Sequence, residues 1–269
     1  MAKVIPFPQR PGPAPKGPFG RIGEQVSFAN PENAALYPAL MVVPVHNEEE
    51  HITAFLQAWR QMIPRMPLIL VFDRCTDQSY PLAADFMQQV KCEPVHFLHI
   101  EQMQFNPYGK AGACLFGLWT ALRYQVPWDY PVLFWDADNE YQLDPTLIES
   151  LIERLRAEGG MVSAQRSGSS LLRSRLALWA TRWSLRLGLR RQDFPTDILT
   201  AVHGMPLAHC LLAMNGARTF DMETRIVHYT FAHHLPFAEF QVQYAPRIHG
   251  KKIKAWHLFG ILLAGLGWR

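Results

Sequence analysis

Apolar residues along this chain fall into two patterns, short unbroken runs and stretches spaced three and four apart. Residues 39–45 (ALMVVPV), 68–72 (LILVF) and 131–135 are unbroken runs, the mark of strands buried on both faces, and 95–100 reads as a further strand. Between them, Ile52, Phe55, Leu56, Trp59 and Met62 share one helical face until Pro64 ends it, and 80–90 and 111–124 continue as helices. Asp144 predicts an N-cap, with Pro145 in the first turn of a helix reaching about Gly159. Strands alternating with helices are βαβ units. They predict an α/β fold, a single domain with a mostly parallel central sheet flanked by helices and right-handed crossovers. Ligands of such sheets bind beyond the carboxyl ends of the strands, so chemistry is expected just after Val45, Phe72 and Trp135.

The second half is less regular. Residues 161–165 and 240–244 read as strands, 220–234 as a helix, and 253–266 as an apolar tail behind Lys251, Lys252 and Lys254. Residues 1–35 carry seven prolines before position 32 and no apolar period, which predicts an extended arm outside the fold. The domain is placed at 36–250 and a basic, apolar tail at 251–269. Hydrophobic residues make up 49% and charged residues 18%, a globular composition, and a net charge of +3 gives no field suited to nucleic acid. Cys75, Cys92, Cys114 and Cys210 lack metal-knuckle spacing and read as free thiols of a reducing, cytoplasmic compartment. No secretory signal and no membrane-spanning run is evident.

Three acidic segments follow strand ends. His46-Asn47-Glu48-Glu49-Glu50 taken alone reads as a helix start, with Asn47 as cap and glutamates facing the helix dipole. Asp73-Arg74-Cys75-Thr76-Asp77 reads either as a turn and cap or as a ligand site. In Trp135-Asp136-Ala137-Asp138-Asn139-Glu140, a buried strand ends in closely spaced carboxylates. An extended backbone would turn Asp136, Asp138 and Glu140 to one side. Clustered carboxylates call for a cation, and an all-oxygen set selects Mg²⁺ or Mn²⁺.

The ordered set VPVHNEE, LVFDRCTD, NPYGKAGA, LFWDADNE and FDMETR resembles the family 2 glycosyltransferases, whose fold is the Rossmann-like GT-A type. The resemblance covers roughly 39 to 254 and rests on the order and spacing of motifs that are each weak alone. It implies that Pro44, His46, Glu48 and Asp73 line the base and ribose pocket of a nucleotide-sugar donor, with Lys110 near the nucleotide. Asp136 and Asp138 would then hold the metal that bridges the diphosphate. Asp-Ala-Asp followed downstream by Phe-Asp-x-Glu is similar to the branch acting on polyprenyl phosphates, which brings Glu140 to the metal and Arg166 to the site. That branch's Arg-x-x-Gly-x-Ser-Lys segment is matched by Arg247 to Lys252 with lysine for serine, and its Glu-Val-Pro-Val strand reads Glu239-Phe-Gln-Val here.

The expected reaction is metal-assisted sugar transfer, with inversion, to a lipid-linked or hydroxyl acceptor. Lys110 or Arg166 would help neutralise the leaving diphosphate. Asp221 reads as a helix cap with Glu223 in the first turn; functionally, either is a candidate base toward a hydroxyl. A phosphate acceptor would need none. Between Glu158 and Asp193 lie seven arginines and no acid, interleaved with leucines, Trp179 and Trp183. This describes a solvated helix packed by its apolar side, or equally a helix lying on an anionic membrane surface, which would make the protein peripheral on the inner face. The tail divides in the same way, between a core-packed helix and an interfacial anchor. Two other classes stand beside the transferase. A nucleotidyltransferase of related fold would open on a Gly-rich loop, which this first strand does not; a non-catalytic membrane-associated module would not need intact Lys110, Asp136 and Asp138.

Overall fold

A computed structural model describes residues 38–90, 98–166, 172–191, 193–245 and 257–267. The arm expected over 1–35, Cys92, Arg247 and the cluster Lys251, Lys252 and Lys254 lie outside the described residues.

Seven strands form one sheet: β1 (Leu40–Val45), β2 (Leu68–Asp73), β3 (Leu98–Met103), β4 (Pro131–Phe134), β5 (Met161–Arg166), β6 (His203–Pro206) and β7 (Phe237–Val242). Their order is β3-β2-β1-β4-β6-β5-β7. Neighbours are parallel except β6, which runs antiparallel to β4 and β5. The helices are α1 (Ile52–Met62), α2 (Ser79–Val90), α3 (Gly109–Arg123), α4 (Pro145–Glu158), α5 (Leu172–Leu189), α6 (Leu207–Ala213), α7 (Met222–Ala232) and α8 (His257–Gly265). The expected α/β architecture is the one found.

β1 is apolar throughout because it is covered on both sides. Met41, Val43 and Val45 face a core shared with α1, α2 and α4. Leu40 and Val42 face a second core shared with α3, α6 and α7. Asp144 caps α4, accepting hydrogen bonds from the Thr146 and Leu147 amides, and left-handed Gly159 ends it.

Three expectations shift, and one strand, β6, is unexpected. The helix start read at Asn47 is a turn; α1 begins at Ile52 after His51, which frees Asn47 and its glutamates for other contacts. β3 runs on to Met103, and residues 95–97 of the strand expected there lie outside the described residues. β7 begins at Phe237, earlier than expected, and Tyr244 makes only an isolated bridge to Tyr141. β6 has no strand pattern of its own: His203, Gly204 and Pro206 are held by pairing to β4 and β5. Gly204 is required there, since a Cβ would stand 2.5 Å from a Leu133 methyl.

Among the described residues, no helix is long and apolar enough to cross a membrane. Cys75, Cys114 and Cys210 are free thiols.

Candidate active site

β1, β2 and β4 are neighbours, so the loops after them meet at one edge of the sheet. The first two interlock. His46 Nδ1 lies 2.6 Å from the Asp73 carbonyl. Asn47 accepts from the Thr76 amide at 2.9 Å and donates to the Thr76 hydroxyl at 3.2 Å. The Glu48 amide donates to Ser79 Oγ, the Glu49 amide to Asp77 Oδ2, and Glu49 accepts from the Gln78 amide. Burial works against the charge on Asp77, but hydrogen bonds from Ser79 and the Glu49 amide outweigh it and hold the carboxyl below its ordinary value. Asn47 and Arg74 both take left-handed backbones, which the lacing enforces. Asp73 is buried, and the Arg74 guanidinium grips it through two hydrogen bonds of 2.9 and 3.2 Å. His46 and Glu48 after β1 and Asp73 at the end of β2 are thereby tied into one corner, with Pro44 in β1 paired to Val71 of β2.

Lys110 enters from the opposite side. Asn106 builds the turn before α3, accepting from the Tyr108 amide and donating to the Gly109 carbonyl, with Gly109 left-handed. The backbone at Thr219 then laces to that turn, with Thr219 N donating to Tyr108 O and Ala111 N to Thr219 O. This lacing sets the start of α7 beside the start of α3. As a result Lys110 Nζ lies 3.0 Å from Asp136 Oδ1 and 3.1 Å from Glu223 Oε1. Burial opposes the ammonium, but Asp136 and Glu223 outweigh it and keep Lys110 charged well above the ordinary lysine range. Burial lifts Glu223 above the ordinary carboxylate range although Lys110 pulls it back. Its second oxygen, Oε2, is buried and has no hydrogen-bond partner among the described residues.

Asp221 is placed differently from Glu223. It sits at the helix cap but makes no capping bond; its carboxylate accepts from the Arg218 amide at 2.6 Å and from Arg225 Nε at 2.7 Å. Of the two candidate bases, Glu223 is the one that Lys110 ties to Asp136.

The acidic loop after β4 is not extended. Asn139 is left-handed, and the expected convergence of three carboxylates is not found: Asp136 turns to Lys110, Asp138 accepts from the Glu140 amide at 3.2 Å, and Glu140 accepts from the Tyr244 hydroxyl at 3.3 Å. Among the described residues, no three His, Cys, Asp or Glu side chains are gathered as a metal site. The donor set nonetheless suits a hard ion in kind, being carboxylate oxygen throughout and half-buried or buried.

Arg166 at the end of β5 is committed to Asp197. Its Nη2 lies 2.7 Å from Oδ1, its Nε and backbone amide meet Oδ2, and its guanidinium stacks over the Tyr244 ring at 5.4 Å. Burial disfavours its charge, but Asp197 outweighs that and raises its pKa above the usual arginine value. Arg166 thus acts through the loop it holds. Tyr244, which joins Arg166 to Glu140, was not among the residues singled out from sequence; a lone tyrosine after an edge strand gives no signal. His203 is a further residue not singled out from sequence. It is fully buried on β6, and among the described residues its ring has no close hydrogen-bond partner, the Thr200 backbone being the polar group that acts on it.

Residues 41–207 match the profile of Glycosyl transferase family 2. No curated protein matches the sequence. Glucosyl-3-phosphoglycerate synthase of Mycobacterium tuberculosis, in complex with Mn²⁺, UDP-glucose and phosphoglyceric acid, superposes with a TM-score of 0.60 at 16% identity, covering 93% of this chain and 87% of that one. The same enzyme with Mg²⁺ and UDP gives 0.62 at 17% identity, over 91% and 85% of the two chains. With Mn²⁺, UDP and glucosyl-3-phosphoglycerate it gives 0.58 at 19%, over 91% and 86%. Identities this low establish the shared GT-A fold. None of the three is a polyprenyl-phosphate sugar synthase. The family profile spans more than half of the sequence, across β1 to β6: the chain belongs to the family 2 glycosyltransferases.

Proposed function

We propose that this chain transfers a sugar from a nucleotide-diphosphate donor of the UDP-glucose kind to a hydroxyl acceptor, with Glu223 as general base. The observation that carries the reading is the bridge from Lys110 to Asp136 and Glu223, 3.0 and 3.1 Å long. It joins the acidic loop, where a diphosphate would sit, to a buried carboxyl with one unpartnered oxygen.

In this reading Pro44, His46, Glu48 and Asp73 form the corner for base and ribose. Asp136, Asp138 and Glu140, once turned together from the contacts they make here, would hold a divalent ion that would supply Lewis-acid neutralisation of the diphosphate. The acceptor hydroxyl gives its proton to Glu223 as its oxygen forms a bond to the anomeric carbon. The bond from that carbon to the diphosphate breaks, and the electron pair leaves on the diphosphate, where Lys110 offsets the growing charge. Direct attack of this kind inverts the anomeric centre. Arg166 and Asp197 position the loop beside Tyr244 and Glu140.

The superposed synthase binds UDP-glucose and phosphoglyceric acid, which favours a small hydroxyl acceptor over a polyprenyl phosphate. A phosphate acceptor is already anionic and would leave Glu223 without a task. The test is product formation from labelled UDP-glucose with Mn²⁺ across hydroxyl acceptors and a polyprenyl phosphate, after thermal stabilisation by UDP-, GDP- and dTDP-sugars has ranked the donors. The expected result is a hydroxyl-linked product of inverted configuration, with Asp138→Ala folded and inactive. Near-normal turnover by Asp138→Ala would remove the metal role. Transfer only to the polyprenyl phosphate would remove the base, and pyrophosphate release from a nucleoside triphosphate would reassign the chain as a nucleotidyltransferase.

A further inference from the structure

α5 has two unlike faces. Thr181, Ser184 and Leu185 are buried on one of them. That face meets α8 at very close range, since a Cβ on Gly188 would stand 2.4 Å from the Gly265 carbonyl and a Cβ on Gly265 2.0 Å from Ser184 Oγ. The helix therefore cannot roll to bury its other side. At 3.6 residues per turn, Trp179, Trp183, Arg186 and Leu187 fall on the opposite face, and Arg190, with a left-handed backbone, follows directly after the helix. Trp179 is 65% exposed, Trp183 52% and Leu187 52%, and Arg186 and Arg190 are exposed among them.

Two large aromatics on a helix face open to water are costly unless something covers them. The chemistry of this face says what does. No acid occurs between Glu158 and Asp193, and Asp193 itself is taken by Arg191 at 2.7 Å. Arg186 and Arg190 form no ion pair among the described residues. Tryptophan favours the boundary between apolar and wet surroundings, and arginine beside it meets anionic headgroups. We propose that this face of α5 is a docking surface for an anionic lipid bilayer, on which Trp179, Trp183 and Leu187 insert while Arg186 and Arg190 bind headgroup phosphates. Phe259, 68% exposed on α8, adds apolar surface to the same helix pair. α5 follows β5, whose carboxyl end lies on the side of the sheet where the acidic loop opens. The inference does not rest on the proposed reaction, because vesicle binding is read without turnover.

The experiment is flotation of the full chain with vesicles of phosphatidylcholine alone and of phosphatidylcholine and phosphatidylglycerol in equal parts. Binding to the mixed vesicles at low salt is expected, lost at about 0.5 M salt, where charges are screened within a few ångströms. Arg186→Gln with Arg190→Gln should weaken partition by about 30-fold, at about one kcal/mol per arginine near the surface. Trp179→Ser with Trp183→Ser should abolish it, with both variants retaining the wild-type melting transition. Absence of wild-type flotation at low salt, equal binding to the neutral vesicles, or unchanged partition of the folded variants would overturn the proposal. So would a wild-type dimer in sedimentation velocity that the tryptophan variant splits, since a second copy would then be the cover.

Discussion

Lys110 and Glu223 face each other at 3.1 Å across the starts of two helices, and one oxygen of the glutamate is left without a partner. The lysine holds one oxygen in place, and the proposed reaction gives the proton to the other, buried one. Glu223→Gln keeps the shape and the contact to Lys110 but cannot accept that proton. The expected loss in kcat is about 100- to 10,000-fold, with donor affinity little changed, as steady-state kinetics with separate donor binding would read.

The same carboxyl sets a pH signature. Burial raises the Glu223 pKa against the pull of Lys110, and only the ionised form is a base. Activity should therefore rise with pH along an acid limb lying above the ordinary glutamate value. A limb at that ordinary value, or one that persists in Glu223→Gln, would count against this assignment.

Gly112 is where the lysine turn meets α3. A Cβ there would stand 2.2 Å from Asn106 Oδ1, the atom that accepts from the Tyr108 amide. Gly112→Ala must push Asn106 aside, open the turn and move Lys110. Overpacking of this kind costs about 1–3 kcal/mol. Calorimetric melting should show that loss, and nucleotide binding should weaken with it.

The parts of the molecule legible in sequence are those where one residue type had one reason. Runs such as LILVF could only be buried strands, and Asp144, Pro145 and Gly159 marked both ends of α4. Lys110, Asp136 and Glu223 were each nominated by motif, yet their bridge was not legible. It depends on Thr219 hydrogen-bonding to the turn at Tyr108, a contact between segments far apart in sequence. β6 escaped because its strand character comes from its neighbours: His203 and Gly204 have poor strand propensity and are fixed by pairing to Phe134, Leu133, Ser163 and Val162. The acids of the β4 loop misled for a local reason, since alternation holds only in an extended chain and Asn139 turns out of it.

Arg166 and Asp197 are largely buried and joined as a fork. Arg166→Met would leave Asp197 charged and buried without its partner, a loss of about 3–5 kcal/mol. Arg166→Met with Asp197→Leu removes both charges and should recover a good part of it. Urea unfolding of the two single variants and the double variant closes the cycle. Additive losses, with no recovery in the double variant, would show that the pair is not coupled.

His203 gives the fold an acid limit of its own. Burial, aided by the charge on Lys110 and opposed by Asp197, the Thr200 backbone and Asp136, lowers its pKa from 6.5 to about 4. The folded protein thus holds the imidazole neutral, while the unfolded chain takes up a proton below about pH 6.5. Between these values the unfolded state binds more protons, so stability rises with pH; the contribution is whole above about pH 6.5 and is lost as pH falls toward 4. Its full size is about 3 kcal/mol. Other carboxylates also titrate in this range, so the informative quantity is a difference. His203→Leu removes the group and should flatten the melting temperature between pH 6.5 and 4.5 relative to wild type, whatever it costs in absolute stability. Parallel curves for the two proteins would mean that the ring is protonated in the fold, and that partners for its two nitrogens must be sought.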